Sequence, residues 1–291
     1  MTDTSRRAGG YYWLASYPKS GNTWARLIIE NLLAGDAGPA DINNLAAADS
    51  ATGWYWGERS LGFSMANLTQ SERLSLRPEL HRWAGKRPGT HYYKTHEGNF
   101  ATPAGEPLFD PQAALGVVYL VRNPLDVAAS YSHHRGRDID DTIAKMADPA
   151  AELANSGSGQ SPQPRQWMGS WSHNVGSWLD AAGWNRLVLR FEDLQAQPLQ
   201  EAGRLSAFLK LNTGTENLRR AVEHSRFEVL AAQEQARGFD EKPSKAENFF
   251  RKGESGGWRS ELSEAQIERI VSDHGPVMRR LGYLDAGGAP V

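Results

Sequence analysis

Residues 11–24, Tyr11-Tyr12-Trp13-Leu14-Ala15-Ser16-Tyr17-Pro18-Lys19-Ser20-Gly21-Asn22-Thr23-Trp24, join a short apolar and aromatic run to a glycine-bearing loop. The run Tyr11 to Ser16 reads as a buried strand entering a turn at Tyr17-Pro18. From Trp24 the spacing Trp24, Leu27, Ile28, Leu32 is that of an amphipathic helix, stopped by Gly35. A loop between a strand end and a helix N-terminus is a ready anion site, because unpaired N–H groups and the positive end of the helix dipole face it. Gly21 allows close backbone approach, Lys19 brings a full charge, and Ser20, Asn22 and Thr23 bring side-chain donors.

The same grammar recurs outward from this stretch. His91 to Thr95 and Gly116 to Arg122 read as second and third strands, the latter followed by an Asn123 cap, Pro124 at the first helical position and a helix over Leu125 to Ser132. Residues Asp36 to Gly53 lack a clear period and read as loop with at most a short helix. Arg186 to Phe191 forms a fourth strand, and helical patterns follow at Leu199 to Leu209, Leu218 to His224 and Ser263 to Leu281, where Ser263 and Gln266 make a capping box. The low-complexity stretch Asn155 to Pro164 reads as a mobile surface loop. Alternating strands and helices predict a three-layer α/β fold, a central mainly parallel β-sheet flanked by helices, with ligands at the carboxyl ends of the strands.

Composition narrows the function classes. The 291 residues carry a formal net charge of -2, which lacks the basic footprint of a general nucleic-acid binder. Zero Cys excludes disulfides, thiolate metal sites and a thiol nucleophile. Neither a signal segment nor a membrane span can be drawn near the N-terminus, since Pro18 and Lys19 interrupt the first apolar run. The expectation is a cytoplasmic protein with residues 1–10 disordered and a single domain over 11–285. Lys19 precedes the loop's glycine, whereas a Walker A loop places its lysine after the last one, and nothing resembles a carboxylate cluster for magnesium.

Four segments in order resemble the cytosolic sulfotransferase family, which uses 3′-phosphoadenosine 5′-phosphosulfate (PAPS) as donor and releases 3′-phosphoadenosine 5′-phosphate (PAP). They are the Tyr17 to Trp24 loop, Lys94-Thr95-His96 at the end of the second strand, Val118 to Tyr131, and Arg251-Lys252-Gly253 followed by Gly256-Gly257-Trp258. The resemblance implies a P-loop-NTPase-like loop in which Lys19, Ser20, Gly21, Asn22 and Thr23 hold the 5′-phosphosulfate. It implies that Arg122 and Ser130 hold the 3′-phosphate, that Arg251, Lys252 and Gly253 form a nucleotide clamp, and that no metal is needed. Trp24 suits adenine stacking or plain core packing, and Ser225 and Phe227 align less firmly with adenine contacts, Phe227 also suiting the core. His96 matches the family's general base, with Lys94 on the sulfonate oxygens and Lys19 on the leaving phosphate; Ser130 would hold the Lys19 ammonium away until acceptor arrives. An unperturbed imidazole would titrate near about 6.5. His133 and His134 read as cations at a solvated helix end.

Two departures stand out. Phe191 occupies a position where relatives carry Tyr, so a hydroxyl near the adenine is lost. The family's dimerisation motif becomes Arg259, Ser263, Glu264 and Glu268, an acidic residue replacing Val, which predicts no dimer through that segment. Trp54, Tyr55, Trp56, Phe63, Phe100, Trp167 and Trp171 are candidate walls of an acceptor pocket, favouring a small aromatic or amphiphilic hydroxyl compound. The rival readings are a small-molecule kinase and a non-enzymatic nucleotide-binding protein.

Overall fold

The computed structural model describes residues 9–45, 48, 49, 57, 58, 60, 62–65, 68–102, 104–153, 165–243 and 247–291. Its central sheet contains β1 (Gly10–Ser16), β2 (Ala48–Asp49), β3 (Thr90–Thr95), β4 (Gly116–Val121) and β7 (Arg186–Arg190) in the order β2-β3-β1-β4-β7, and every pairing is parallel. The two-residue strands β5 (Glu152–Leu153) and β6 (Gln166–Trp167) pair antiparallel as a separate ribbon. In the sheet Leu14 pairs with both Lys94 and Val118, so β3 and β4 flank β1 at one level and their carboxyl ends share an edge.

Period-2 alternation divides the strands between two cores. Trp13, Ala15, Tyr93, Tyr119 and Val121 face one side, against helices α3 (Pro124–Arg135), α5 (Trp171–Leu179) and α10 (Glu264–Arg280). Tyr12, Leu14, Tyr92, Val118 and Leu120 face the other, against α1 (Asn22–Ala34), α7 (Pro198–Phe208) and α8 (Thr215–His224). A smaller cluster of Leu27, Ile42, Leu230 and Phe239 lies beside α9 (Phe227–Arg237), with Trp24, Phe249 and Phe250 packed on it. This is the expected helix–sheet–helix layering, with the loop after β1 in the P-loop-NTPase-like position.

The four expected strands are all present, with differences at their ends. Gly10, expected in a disordered N-terminus, is the first residue of β1 and donates its N–H to Gly89. Phe191 leaves the strand and opens the short helix α6 (Phe191–Ala196), because the ring is used against the loop after β1. The helix α2 (Gln70–Ala84) has no counterpart in the periodicity, since Pro78 lies inside it; its start is nonetheless a full capping box of Thr69 and Glu72. Helix α4 (Ile139–Ala147), likewise unread, is capped by Asp138. The Asn155 to Pro164 stretch and residues 1–8 lie outside the described residues.

Candidate active site

Three parallel strands deliver functional side chains to one edge: Lys19 after β1, His96 after β3 and Arg122 after β4, with Phe191 after β7 packed beneath. These residues line a cavity of about 1930 Å³. In the loop after β1, Gly21 has φ +93, and a Cβ there would lie 2.8 Å from the Phe191 ring, so glycine is required by conformation and by space. Lys19 itself has φ +66, a costly region for a residue with a side chain. Its Nζ sits 4.0 Å from the Phe249 ring centroid. Burial first, then the Arg122 and Lys94 charges, bring its ammonium down to about 7.

The polar atoms of this loop are divided between scaffold and cavity. Ser20 is fully buried and its Oγ has no partner among the described residues. Asn22 was expected to offer its side chain to the anion, but its Nδ2 donates to the Leu14 carbonyl at 2.9 Å and to Ser16 Oγ at 3.1 Å. Its Oδ1, buried without a partner among the described residues, is an acceptor, so the donor Asn22 has left for an anion is its backbone N–H at the helix start. Thr23 lines the cavity, as does Trp24, whose Nε1 donates to the Ser225 carbonyl at 2.8 Å and whose ring meets Phe191 edge-on at 5.4 Å. Trp24 thus serves packing while bordering the site.

His96 is oriented by β1. Its Nδ1–H donates to the Ser16 carbonyl oxygen at 2.9 Å, and a carbonyl can only accept, so Nε2 carries the free lone pair. Asn174 Nδ2 donates to the His96 carbonyl at 3.1 Å, fixing the backbone. Behind it the buried ion pair Arg77–Glu97 and the Trp178 Nε1 donor to the Glu97 carbonyl lock the next residue. Burial, with the Lys94 charge, brings the His96 imidazole down to about 3, well below the ordinary histidine value expected for it, so it is neutral across the working range.

Carboxylates hold the site's cations. Glu241 bridges Arg26 at 2.7 Å and Lys94 at 3.1 Å; burial pushes its carboxyl up, but the two cations outweigh burial and bring it to about 2. Glu261 takes Arg251 and Lys252, both at 2.8 Å, and His133 at 3.0 Å. Arg122 lies over the Phe191 ring at 4.2 Å, donates from Nη2 to the Glu254 carbonyl at 2.8 Å, and keeps a buried Nε without a partner among the described residues. Asp126 accepts the Gly256 and Trp258 N–H groups, and Glu234 accepts those of Phe249 and Phe250, so two further carboxylates hold the C-terminal segment in place.

Of the remaining expected residues, Ser130, Phe227, Arg251, Lys252 and Gly253 line the cavity with these groups. Ser225 does not line it: its hydroxyl donates to Ala221 and accepts from Asn31, which leaves it a scaffold residue. Trp171 is fully buried in the core against His274 and Tyr283, a correction to its expected place in an acceptor wall. Phe63 is exposed, and the Phe100 and Trp167 rings pack on each other at a tilt with centroids 4.2 Å apart; none of the three lines this cavity. Trp54, Tyr55 and Trp56 lie outside the described residues. His134, expected at a solvated helix end, instead faces the cavity beside Tyr131 and Phe249, with centroids at 6.3 and 6.0 Å. Burial first, then Lys19 and Lys94, bring it down to about 3. His134, Glu241, Glu261 and Glu234 had no signal in the sequence, because single residues in loops and helix ends carry no spacing.

Comparison with known proteins agrees with this geometry: the family model of the sulfotransferase domain matches residues 11–282. The chain belongs to the sulfotransferase family. It is similar to sulfotransferase 1B1 of Canis lupus familiaris, at 25% identity over 88% of this chain and 79% of the relative. It is also similar to the luciferin sulfotransferase of Photinus pyralis, at 24% over 87% and 68%. Among solved structures, mouse sulfotransferase SULT7A1 complexed with PAP shares the fold with TM-score 0.61 at 19% identity, over 96% of this chain and 87% of that one. Retinol dehydratase in complex with androsterone and inactive cofactor PAP does so with TM-score 0.60 at 20%, over 92% and 80%. This sulfotransferase is of the PAPS-dependent class, and neither rival reading has support from these matches. Among the described residues no group of three or more His, Asp or Glu gathers to hold a metal, and no helix is long and apolar enough to cross a membrane.

Proposed function

We propose that this cavity binds PAPS and a small hydroxyl acceptor, and that the chain's own residues carry out direct in-line sulfonate transfer. The observation that carries the reading is the convergence of Lys19, Arg122 and a neutral His96 Nε2 on one cavity at one sheet edge. The donor's chemistry fits unspent groups: among the described residues the buried Ser20 Oγ and Arg122 Nε lack partners, and Phe227 lies so close to Gly253 that a Cβ there would meet its ring at 2.3 Å. When bound, PAPS supplies the sulfonate and a phosphate leaving group.

Lys19 and the N–H groups at the start of α1 hold the 5′-phosphosulfate and neutralise charge on the leaving oxygen. Arg122, Ser130, Arg251 and Lys252 hold the 3′-phosphate, the guanidinium fork suiting bidentate contact. His96 Nε2 takes the acceptor proton, and Lys94 neutralises the sulfonate oxygens. Tyr131 and Phe249 beside His134, with Leu153 elsewhere in the lining, supply apolar surface, which supports an aromatic or amphiphilic acceptor body. The reading extends to one domain over 11–285, a cytoplasmic place of action, and no dimer through Arg259 to Glu268. In that last segment Ser263 and Gln266 cap α10 and the Arg259 guanidinium lies over the Trp258 ring, so local contacts engage these three side chains of the segment.

Radiolabelled PAPS offered with a panel of phenols and alcohols tests the reading. Transfer should appear on at least one acceptor, and His96→Ala should cut it by about 10²–10⁴-fold while leaving PAP affinity within a few-fold. Parental turnover in the folded variant would overturn the role of His96, and ATP-driven phosphorylation of the panel would overturn the reaction class.

A further inference from the structure

Lys94 in this structure is not directed at open space. Its Nζ is held at 3.1 Å by Glu241 Oε2, while the other oxygen of that carboxylate is held at 2.7 Å by Arg26. Arg26 has a side chain only 5% exposed on α1, so the carboxylate has a fixed anchor on the helix that follows the anion loop. The backbone carrying Glu241 is fixed as well. Phe239 is buried against Phe249 and Phe250, with ring centroids at 4.7 and 5.5 Å, and the Asp240 N–H donates to Asn43. The other ionisable groups acting on Lys19 and His134 nearby include Lys94 itself, so the carboxylate stands within a cluster of cations.

An arriving sulfonate brings a second anion to the same ammonium. We propose that Glu241 is a positioning residue that competes with the donor's sulfonate for Lys94, and so weakens PAPS binding selectively while leaving PAP, which has no sulfonate, unaffected. The inference rests on the reading of Lys94 as a sulfonate contact. Its chemical sense is that tighter binding of the ground-state sulfonate would lower KM without raising kcat. A carboxylate anchored on Arg26 prevents the lysine from settling on the sulfonate as a simple ion pair. The ion pairs of Glu241 run to Arg26 and Lys94, whereas the cations read as holding the 3′-phosphate pair elsewhere, Arg251 and Lys252 with Glu261.

The test is equilibrium binding of PAPS and of PAP, by calorimetry, to the parent, Glu241→Gln, Lys94→Met and the double variant. Glu241→Gln should tighten PAPS by about fivefold, the size of a partly exposed ion pair, with PAP within twofold. Lys94→Met should weaken PAPS relative to PAP, and adding Glu241→Gln should recover part of that loss, because the carboxylate then faces the sulfonate unshielded. Equal shifts for PAPS and PAP in Glu241→Gln would overturn the proposal, since a residue that only shapes the Phe239 to Pro243 segment alters both ligands alike. If Glu241→Gln does not fold, Glu241→Asp withdraws the carboxylate by one methylene with its charge kept; an unchanged PAPS-to-PAP ratio there overturns the proposal equally. A Lys94→Met protein with the parental ratio would instead overturn the assignment of Lys94 to the sulfonate.

Discussion

His96 Nδ1 lies 2.9 Å from the carbonyl oxygen of Ser16, the last residue of the strand that leads into the anion loop. One backbone oxygen therefore selects the tautomer of the candidate base. Ser16 Oγ accepts from Asn22 Nδ2 at 3.1 Å, so the same residue joins the base to the loop that would hold the donor.

The protonation of His96 is the first consequence. Burial and Lys94 depress it to about 3, below the reference of about 6.5. A depressed histidine is neutral above its folded value, so the donor-free enzyme should keep Nε2 unprotonated down to pH 5. Nitrogen-detected NMR of the imidazole, with His96→Ala for assignment, checks this. A resonance titrating near pH 6.5 would sink the expectation.

Lys19 leads to a proton-linked binding event. Its ammonium is brought down to about 7, so at pH 7.5 more than half of it is neutral in the donor-free enzyme. A 5′-phosphate beside it favours the charged form, raising the value and drawing in a proton. PAP binding should take up roughly half a proton more in the parent than in Lys19→Arg, whose guanidinium stays charged, and parental affinity should fall as pH rises above 7. Calorimetry in buffers of different ionisation enthalpy measures the difference; equal uptake in both proteins would remove the argument.

What the sequence made legible was whatever chemistry sits in one contiguous segment. Lys19 to Trp24, Lys94-Thr95-His96 and Arg122 each sit at or just past the carboxyl end of a strand, so strand, turn and residue type could be read together. Glu241 could not be read in this way. It meets Lys94 147 positions away and Arg26 215 positions away, and only the folded chain brings those segments together. Trp171 was misread for the opposite reason. Its aromatic character alone cannot separate a pocket wall from a core, and the core at α5 took it.

Glu261 is the counterpart of Glu241 on the Arg251-Lys252 side-chain pair, in the same cavity. It holds Arg251 and Lys252 at 2.8 Å each, and its own side chain is only 13% exposed. A 3′-phosphate reaching those cations must displace it. Glu261→Gln should therefore raise PAP affinity by about fivefold, on the scale of a partly exposed ion pair, with little change for adenosine 5′-phosphate, which lacks the 3′ group. An equal gain for both nucleotides, or weaker PAP binding, would show that the carboxylate organises the segment instead of competing for it.

Gly253 offers a separation of backbone strain from site geometry. It has φ +63, and a Cβ would meet Phe227 Cδ2 at 2.3 Å, so Gly253→Ala must move the Phe227 ring or the Arg251-Lys252 segment. Gly282 has φ +72 with no atom of the described residues within 4 Å of its Cβ position, so Gly282→Ala imposes backbone strain without that collision. Each substitution places a side chain in the left-handed region, at a cost of roughly 1–2 kcal/mol, a Tm loss of several degrees at most. PAP affinity should fall about tenfold or more in Gly253→Ala, on the scale of about 1.4 kcal/mol per decade, and stay within twofold in Gly282→Ala. Thermal melts and calorimetric titrations of the two variants give the comparison. Parental PAP affinity in a folded Gly253→Ala protein would mean that the Phe227–Gly253 contact does not shape the nucleotide site.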